Sequence, residues 1–344
     1  MKISFAANHG EIGGGEVMLL AMARAARELG HDVQIVAPSS PSSVLDAAIA
    51  EQFPVIGIHG DGTLPYLKGL RAWAGAQPRG LLWCNGLRPA AATTGLSNRV
   101  VHLHQQPAGH LKAVAWVATR GAEMVLVPSQ LMKSQVGLGA YVMENWTQPV
   151  NISRRAVLNR SEPAVIGYLG RLSPDKGVDV LAEAVKELDR RTPGGYHLLL
   201  AGEPRFVTPQ DVRKVEDSLE EVSNITTRAG WISREDFFST VDLAVFPSVW
   251  DEPFGLVVAE AMSAGCPFVI TNAGALPSVA GHDFPWVAQA ADSSALATTI
   301  EDALSDYTPT QLEASSRRWR DTYSPDAGCE RLATILARLE EEHA

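Results

Sequence analysis

The chain alternates short, predominantly apolar runs with longer segments whose apolar residues recur at helical spacing. Runs such as Lys2–Ala7 (KISFAA), Asp32–Ala37 (DVQIVA), Ala164–Leu169 (AVIGYL) and Tyr196–Ala201 (YHLLLA) show little polar alternation. As strands they need cover on both faces. Segments such as Glu16–Leu29 (EVMLLAMARAAREL) and Lys176–Arg191 can supply that cover as helices. A strand–helix–strand rhythm implies a parallel sheet with helices on both faces.

The rhythm breaks once. Over Glu144–Glu162 (ENWTQPVNISRRAVLNRSE) the periodicity fades, and polar residues and Pro149 take over before it resumes. The expected architecture is therefore α/β, with two consecutive Rossmann-like, doubly wound parallel-sheet domains. These are residues 1–150 and 151–326, followed by a C-terminal helix, 327–344, able to cross back to the first domain. At 344 residues each domain can bury its own core. In the first, further strands are expected at Pro54–Ile58, Leu81–Cys84, Val100–His104 and Met124–Pro128, with helices at Tyr66–Ala74 and Gly109–Arg120. In the second, strands are expected at Asn224–Ala229, Leu243–Pro247 and Pro267–Thr271, with helices at Pro209–Val222 and Gly255–Ala264.

Charge narrows the function. The net charge of −10 argues against a dedicated nucleic-acid binder, which should carry a basic surface. Residues 1–150 hold 11 basic and 9 acidic residues, and the remainder 18 and 30, so the acidity belongs to the second half. Three cysteines, Cys84, Cys266 and Cys329, are too few and odd in number for a disulfide framework, and point to a reducing compartment. The N-terminal MKISFAANHG reaches polar Asn8 and His9 too soon for a secretory leader. The longest uncharged run, Ala261–Gly281, is broken by Gly265, Pro267, Gly274 and Pro277, so it reads as strand and loops rather than a membrane span. A soluble, cytoplasmic protein is expected. Tyr66–Trp73 (YLKGLRAW) sets Lys68 and Arg71 among Leu67, Leu70 and Trp73. It reads either as a weak peripheral patch for the inner membrane face or, preferentially, as an ordinary helix packing its apolar side.

Several familiar chemistries do not fit. Gly13 and Gly15 match two positions of a dinucleotide fingerprint, but Met18 stands at the third, and the second strand ends in Ala37-Pro38-Ser39 without an acid. There is no P-loop. Ala261–Gly265 (AMSAG) resembles a nucleophile elbow, yet Ser263 falls late in an expected helix rather than at the end of a strand. No D-x-D occurs to hold a metal-bound diphosphate. His102 and His104, two apart on an expected strand, are too few for catalytic zinc.

Three segments remain. Gly170–Gly177 (GRLSPDKG) lies between a strand and a helix, where open α/β sheets bind ligands. Arg171 offers a fork for phosphate oxygens and Lys176 a point charge at the helix start; read alone, the segment is equally a solvated turn with two surface cations. Glu252 and Glu260 bracket a helix N-terminus at Phe254-Gly255-Leu256. The free N–H groups there favour anions, and carboxylates accept well from sugar hydroxyls. The plain alternative is a capping acid and an exposed helix residue. Gly13-Gly14-Gly15 lets backbone approach a ligand closely, or simply makes a tight turn.

Together these segments resemble glycosyltransferase family 4, the retaining GT-B enzymes of the "glycosyl transferases group 1" type. Trp250–Val269 (WDEPFGLVVAEAMSAGCPFV) is similar to the family's E-x₇-E signature, met by Glu252 and Glu260. Gly170–Gly177 is similar to its basic loop, Gly13–Glu16 with Gly30–Val33 to its N-terminal signature, and Val245–Ser248 to the strand before the double-Glu motif. The resemblance runs over nearly the whole chain in the right order.

The resemblance implies two Rossmann-like domains facing a central cleft, the first for the acceptor and the second for the donor. It implies transfer of a hexose-type sugar from a nucleotide-diphosphate sugar to a hydroxyl of a glycan, glycolipid or secondary metabolite, without cofactor or metal. Arg171 and Lys176 would hold the diphosphate, Glu260 the ribose, and Glu252 the transferred sugar. Phe254, Gly255 and Leu256 would line sugar and phosphate, and Gly14 and Gly15 would close on the phosphates. His104 would face the donor sugar, so Glu252, His104, Arg171 and Lys176 form the expected catalytic set. Gln105 stands where the family often has an acid, and Ser278 where it often has Glu. Asn85 and Gln105 are the expected acceptor contacts, with Asn85-Gly86 and Pro89–Gly95 on loops. Other GT-B activities, a phosphorylase or a sugar-nucleotide epimerase, and a non-catalytic nucleotide-sugar-binding module stay open at this point.

Overall fold

The computed structural model describes residues 1–60, 62–76, 80–152 and 163–341. The chain divides into two compact units, Met1–Trp146 with Pro325–Ala344, and Thr147–Ser324. Of the expected boundary segment, residues 153–162 lie outside the described residues.

The first unit carries seven strands: β1 (Lys2–Ala7), β2 (Asp32–Pro38), β3 (Val55–Ile58), β4 (Leu81–Asn85), β5 (Arg99–His102), β6 (Met124–Val127) and β7 (Tyr141–Val142). They pair in the order β3-β2-β1-β4-β5-β6-β7, all parallel. Phe5 pairs with Ile35 on one side and Trp83 on the other, and all three are fully buried. The chain winds outward from β1 to β3, then returns to β4 beside β1. The carboxyl ends of β1 and β4 therefore flank a topological switch point, where such sheets bind ligands. The helix Pro325–Glu341 completes this unit. Its Leu332, Leu336 and Leu339 join Met18, Met22 and Trp146 in one core. A Cβ on its Gly328 would stand 2.2 Å from Cδ2 of Trp146, so this helix lies directly on the indole.

The second unit repeats the scheme with β8 (Ala164–Leu169), β9 (Tyr196–Ala201), β10 (Thr226–Gly230), β11 (Leu243–Phe246), β12 (Phe268–Thr271) and β13 (Val287–Ala288). The order is β10-β9-β8-β11-β12-β13, again all parallel. Its switch point lies between the carboxyl ends of β8 and β11.

Several expectations need correction. The strand expected to reach His104 stops at His102, and His104 lies in the following loop. Pro89–Gly95 is not a loop: the helix Leu87–Ala92 occupies most of it. Lys176 does not open a helix. It closes a 3₁₀ turn, Pro174–Lys176, and the α-helix starts at Val178. The strand expected from Asn224 starts at Thr226, after a 3₁₀ turn Ser223–Ile225. The apolar side of Tyr66–Trp73 is packed, with Tyr66 and Leu70 buried in the core and Trp73 against it, so the ordinary-helix reading describes it. Ala261–Gly281 forms a helix end, β12 and the short helix Leu276–Ala280. Among the described residues no helix is long and apolar enough to cross a membrane.

Candidate functional site

In the second unit the loops leaving β8 and β11 are held against each other. Gly177 has φ +71°, and a Cβ there would stand 1.9 Å from the carbonyl oxygen of Pro247. Only glycine permits both the left-handed backbone and this approach. The N–H of Val249 donates to the carbonyl of Asp175, 3.0 Å. Buried Tyr168, near the end of β8, donates its hydroxyl to the carbonyl of Arg171, 2.6 Å.

This contact brings Lys176 and Glu252 together. Lys176 Nζ stands 2.5 Å from Glu252 Oε1, and Ser248 Oγ donates to the same oxygen at 2.5 Å. Thr271, at the end of β12, donates to the carbonyl of Ser248, 2.6 Å. The Lys176 ammonium also lies 5.3 Å from the centre of the Trp250 ring, within range of a cation–π contact. Glu252 is 7% exposed, so its charge depends on these partners. Arg171 is ion-paired with Asp175 in the same loop.

The helix Leu256–Ala264 follows, with Gly255 as its N-cap at φ +104°. Phe254 is buried, edge-on to Tyr323 at 5.4 Å, so its side chain is an anchor for the loop. Glu260 is not an exposed helix residue but is 4% exposed. It accepts from Arg234 Nε at 2.5 Å. Burial pushes its carboxyl up to about 7, even though Arg234 pulls the other way. Arg234 escaped the sequence reading, because its pairing joins residues 26 apart in the chain. The one local signal was the Ser233–Asp236 spacing of a helix start, and Ser233 Oγ does accept from the Asp236 N–H at 3.0 Å.

In the first unit the switch point gathers Gly15, Asn85 and His104. The helix Gly14–Glu28 begins in the glycine run, with Gly14 exposed at its first position. Asn85, the last residue of β4 and 1% exposed, donates from Nδ2 to the carbonyl of Gly15, 2.9 Å. Its Oδ1 stands 2.7 Å from His104 Nε2. An amide that donates to a carbonyl must present its oxygen to the imidazole, so His104 carries its proton on Nε2. Burial pushes His104 down to about 4, leaving it neutral with Nδ1 as a buried acceptor. The His102 ring lies 4.0 Å away, centre to centre. Gln105 is exposed and, among the described residues, has no hydrogen-bond partner.

Glu16 and Arg88, which the sequence reading did not single out as ligands, stand at the same edge. Glu16 is buried, and burial pushes its carboxyl up to about 7 against backbone N–H groups of Glu16, Gly13 and His9. Arg88 Nη1 lies 2.8 Å from His9 Nδ1, and the Arg88 N–H donates to Asn8 Oδ1 at 3.0 Å.

Known proteins share parts of this chain's sequence and its fold. Residues 163–306, which span β8 to β13, match the family described as Glycosyl transferases group 1. The chain is 34% identical over 184 residues to the glycogen synthase of Mycobacterium tuberculosis, covering 52% of this chain and 43% of that one. It is 28% identical over 206 residues to the lipopolysaccharide 1,2-N-acetylglucosaminetransferase of Salmonella typhimurium, covering 53% of each. The chain thus spans about half the length of these curated relatives. Among solved structures, Anabaena Alr3699/HepE in complex with UDP and glucose superposes with a TM-score of 0.83 at 20% identity, over 98% of this chain and 99% of that one. Likeness at that coverage shows that the chain has the GT-B fold.

Proposed function

We propose that the protein is a retaining, metal-independent glycosyltransferase of family 4, moving a hexose from a nucleoside-diphosphate sugar to a hydroxyl acceptor. The observation that carries this reading is the Lys176–Glu252 pair, 2.5 Å apart at the switch-point edge of the second sheet. A cation for a diphosphate and a carboxylate for sugar hydroxyls are there built side by side. Glu260 would accept the ribose hydroxyls.

The leaving group is a nucleoside diphosphate, whose charge grows as the sugar–oxygen bond breaks. Arg171, Lys176 and the N–H groups of Gly255 and Leu256 stabilise that charge. Glu252 orients the sugar through its hydroxyls. Transfer takes place on one face of the sugar, with a donor phosphate oxygen helping to take the acceptor's proton; a covalent glycosyl-enzyme trapped on a side chain overturns this step. In the first unit, Gly14 and Gly15 offer backbone to an anion, His104 offers Nδ1 as an acceptor for a hydroxyl, and Gln105 is the proposed acceptor contact. Asn85 acts by holding His104.

The test is thermal stability against a panel of nucleoside diphosphates and their sugars, with chelator in one series and a divalent metal in a parallel one, starting from UDP-glucose because a related structure holds UDP and glucose. A ligand that binds only the folded state raises the midpoint. Selective stabilisation, lost in Lys176→Ala and Glu260→Ala, supports the reading. No response to any nucleotide, or a response that requires a divalent metal, overturns it.

A further inference from the structure

We infer that Arg234 is a positioning residue for the donor: its bond to Glu260 favours the ionised form of that carboxylate and fixes its orientation. The inference rests on the reading of Glu260 as the ribose ligand, and beyond that on the geometry of the second unit alone.

The Glu260 side chain is 5% exposed, while that of Arg234 is 48% exposed, and the two meet at 2.5 Å. Along its helix Glu260 is flanked by buried Val258, Ala259, Ala261 and Met262. A carboxylate there has lost most of its hydration and needs a counter-charge. Arg234 and Glu235 are the charged groups acting on it, both from the helix Arg234–Thr240, and they act in opposite directions. Among the described residues Arg234 is therefore its one source of cationic support. The backbone of Arg234 is fixed although its side chain reaches solvent. Ser233 caps the helix at its N-terminus, and Phe237 and Phe238 bury it. The contact uses Nε, so the guanidinium aligns one carboxylate oxygen by a single charge-assisted bond.

The consequence for a ligand follows from protonation. An ionised carboxylate accepts from two ribose hydroxyls, and a protonated one loses part of that capacity. With its carboxyl near 7, Glu260 is divided between the two forms at neutral pH. An opposite charge at this distance is worth one to three pH units to a carboxyl, so Arg234 decides which form prevails.

The experiment uses Arg234→Met and Arg234→Lys with two readouts. The first is the titration of Glu260 in protein without nucleotide, followed by carbon-13 NMR and assigned with Glu260→Gln. The second is UDP affinity by calorimetry from pH 6 to 9. In Arg234→Met the Glu260 midpoint should rise by about one pH unit or more. UDP affinity at pH 7 should fall about fivefold, the loss of ionised Glu260 for a one-unit shift, and recover by pH 9. Arg234→Lys should return the midpoint part of the way. A Glu260 titration that stays in place in Arg234→Met overturns the inference. So does an affinity loss at pH 9 larger than the Glu260 midpoint measured in Arg234→Met accounts for, which would mean that Arg234 touches the nucleotide itself. Failure of wild-type protein to bind UDP or any other nucleoside diphosphate overturns the donor reading instead, and the titration still reports on the pair.

Discussion

Lys176 and Glu252 neutralise one another across two loops, Nζ to Oε1, although 76 residues separate them in the chain. The pair joins the loop after β8 to the loop after β11, so it is a structural contact in its own right. Removing the lysine leaves a carboxylate that is 7% exposed and that, among the described residues, keeps the Ser248 hydroxyl as its neutral side-chain partner. Breaking a buried pair from one side is costly, because the remaining charge has no compensation.

Lys176→Met should therefore lower stability by about 2–4 kcal/mol in urea unfolding. The double variant Lys176→Met with Glu252→Gln should recover much of that loss, because it buries no lone charge. Equal destabilisation in the single and double variants would show that the loops are held by other contacts.

Asn85 sets the state of His104. In Asn85→Asp a carboxylate faces Nε2, and the imidazole should rise from about 4 by one to three pH units. The carbonyl of Gly15 loses its donor in the same variant, at a cost of about 1 kcal/mol. Proton NMR titration of the histidines reads the first effect and chemical denaturation the second. An unmoved His104 would mean that the amide does not control its tautomer.

Gly177→Ala should be among the more damaging single-methyl substitutions in the chain. The new Cβ meets the Pro247 carbonyl at 1.9 Å and sits on a left-handed backbone. The strain alone costs about 1–3 kcal/mol, before the two loops move apart. Stability and nucleotide affinity should fall together, since the same contact carries Lys176 to Glu252.

Glu16 gives the fold a pH dependence of definite sign. Burial holds its carboxyl at about 7 in the folded chain, above the ordinary 4.5. A raised value means that the folded state binds the proton more tightly. This contribution is complete below about pH 4.5 and is lost as pH rises through 7. Glu16→Gln removes it, so the variant should gain on wild type by about 3 kcal/mol between pH 4.5 and 8. The difference between the two proteins is the quantity to measure. His102 and His104, both held low by burial, contribute with the opposite sign as pH falls below 6.5.

The strands were the legible part of this chain. Lys2–Ala7, Ala164–Leu169 and Tyr196–Ala201 stand where their composition places them, because a doubly covered apolar run has no other stable position. Loops and short helices were less legible. Pro89–Gly95 reads as a loop in sequence, yet Pro89 falls in the first turn of the helix Leu87–Ala92, where its missing N–H has no intrahelical partner to lose. His104 was read as part of a strand, but pairing with β6 ends at His102 opposite Leu126. The site itself was half legible. Lys176, Glu252 and Glu260 could be named from spacing and family likeness. That Glu252 would be neutralised by Lys176, and Glu260 by Arg234, depends on which loops touch, and no local pattern encodes that.

The helix Pro325–Glu341 places Leu332, Leu336 and Leu339 in the core of the unit that begins at Met1. The second unit is thus an insertion in the first, continuous from Thr147 to Ser324. During synthesis the order of completion is inverted. The later-starting unit has all its residues once Ser324 has left the ribosome, while the earlier-starting one still waits for the helix that covers Met18, Met22 and Trp146. A chain cut after Trp146 would expose that apolar surface, whereas 147–324 loses no segment of its own unit. Nascent-chain stability should therefore appear in the middle of the sequence before it appears at the beginning.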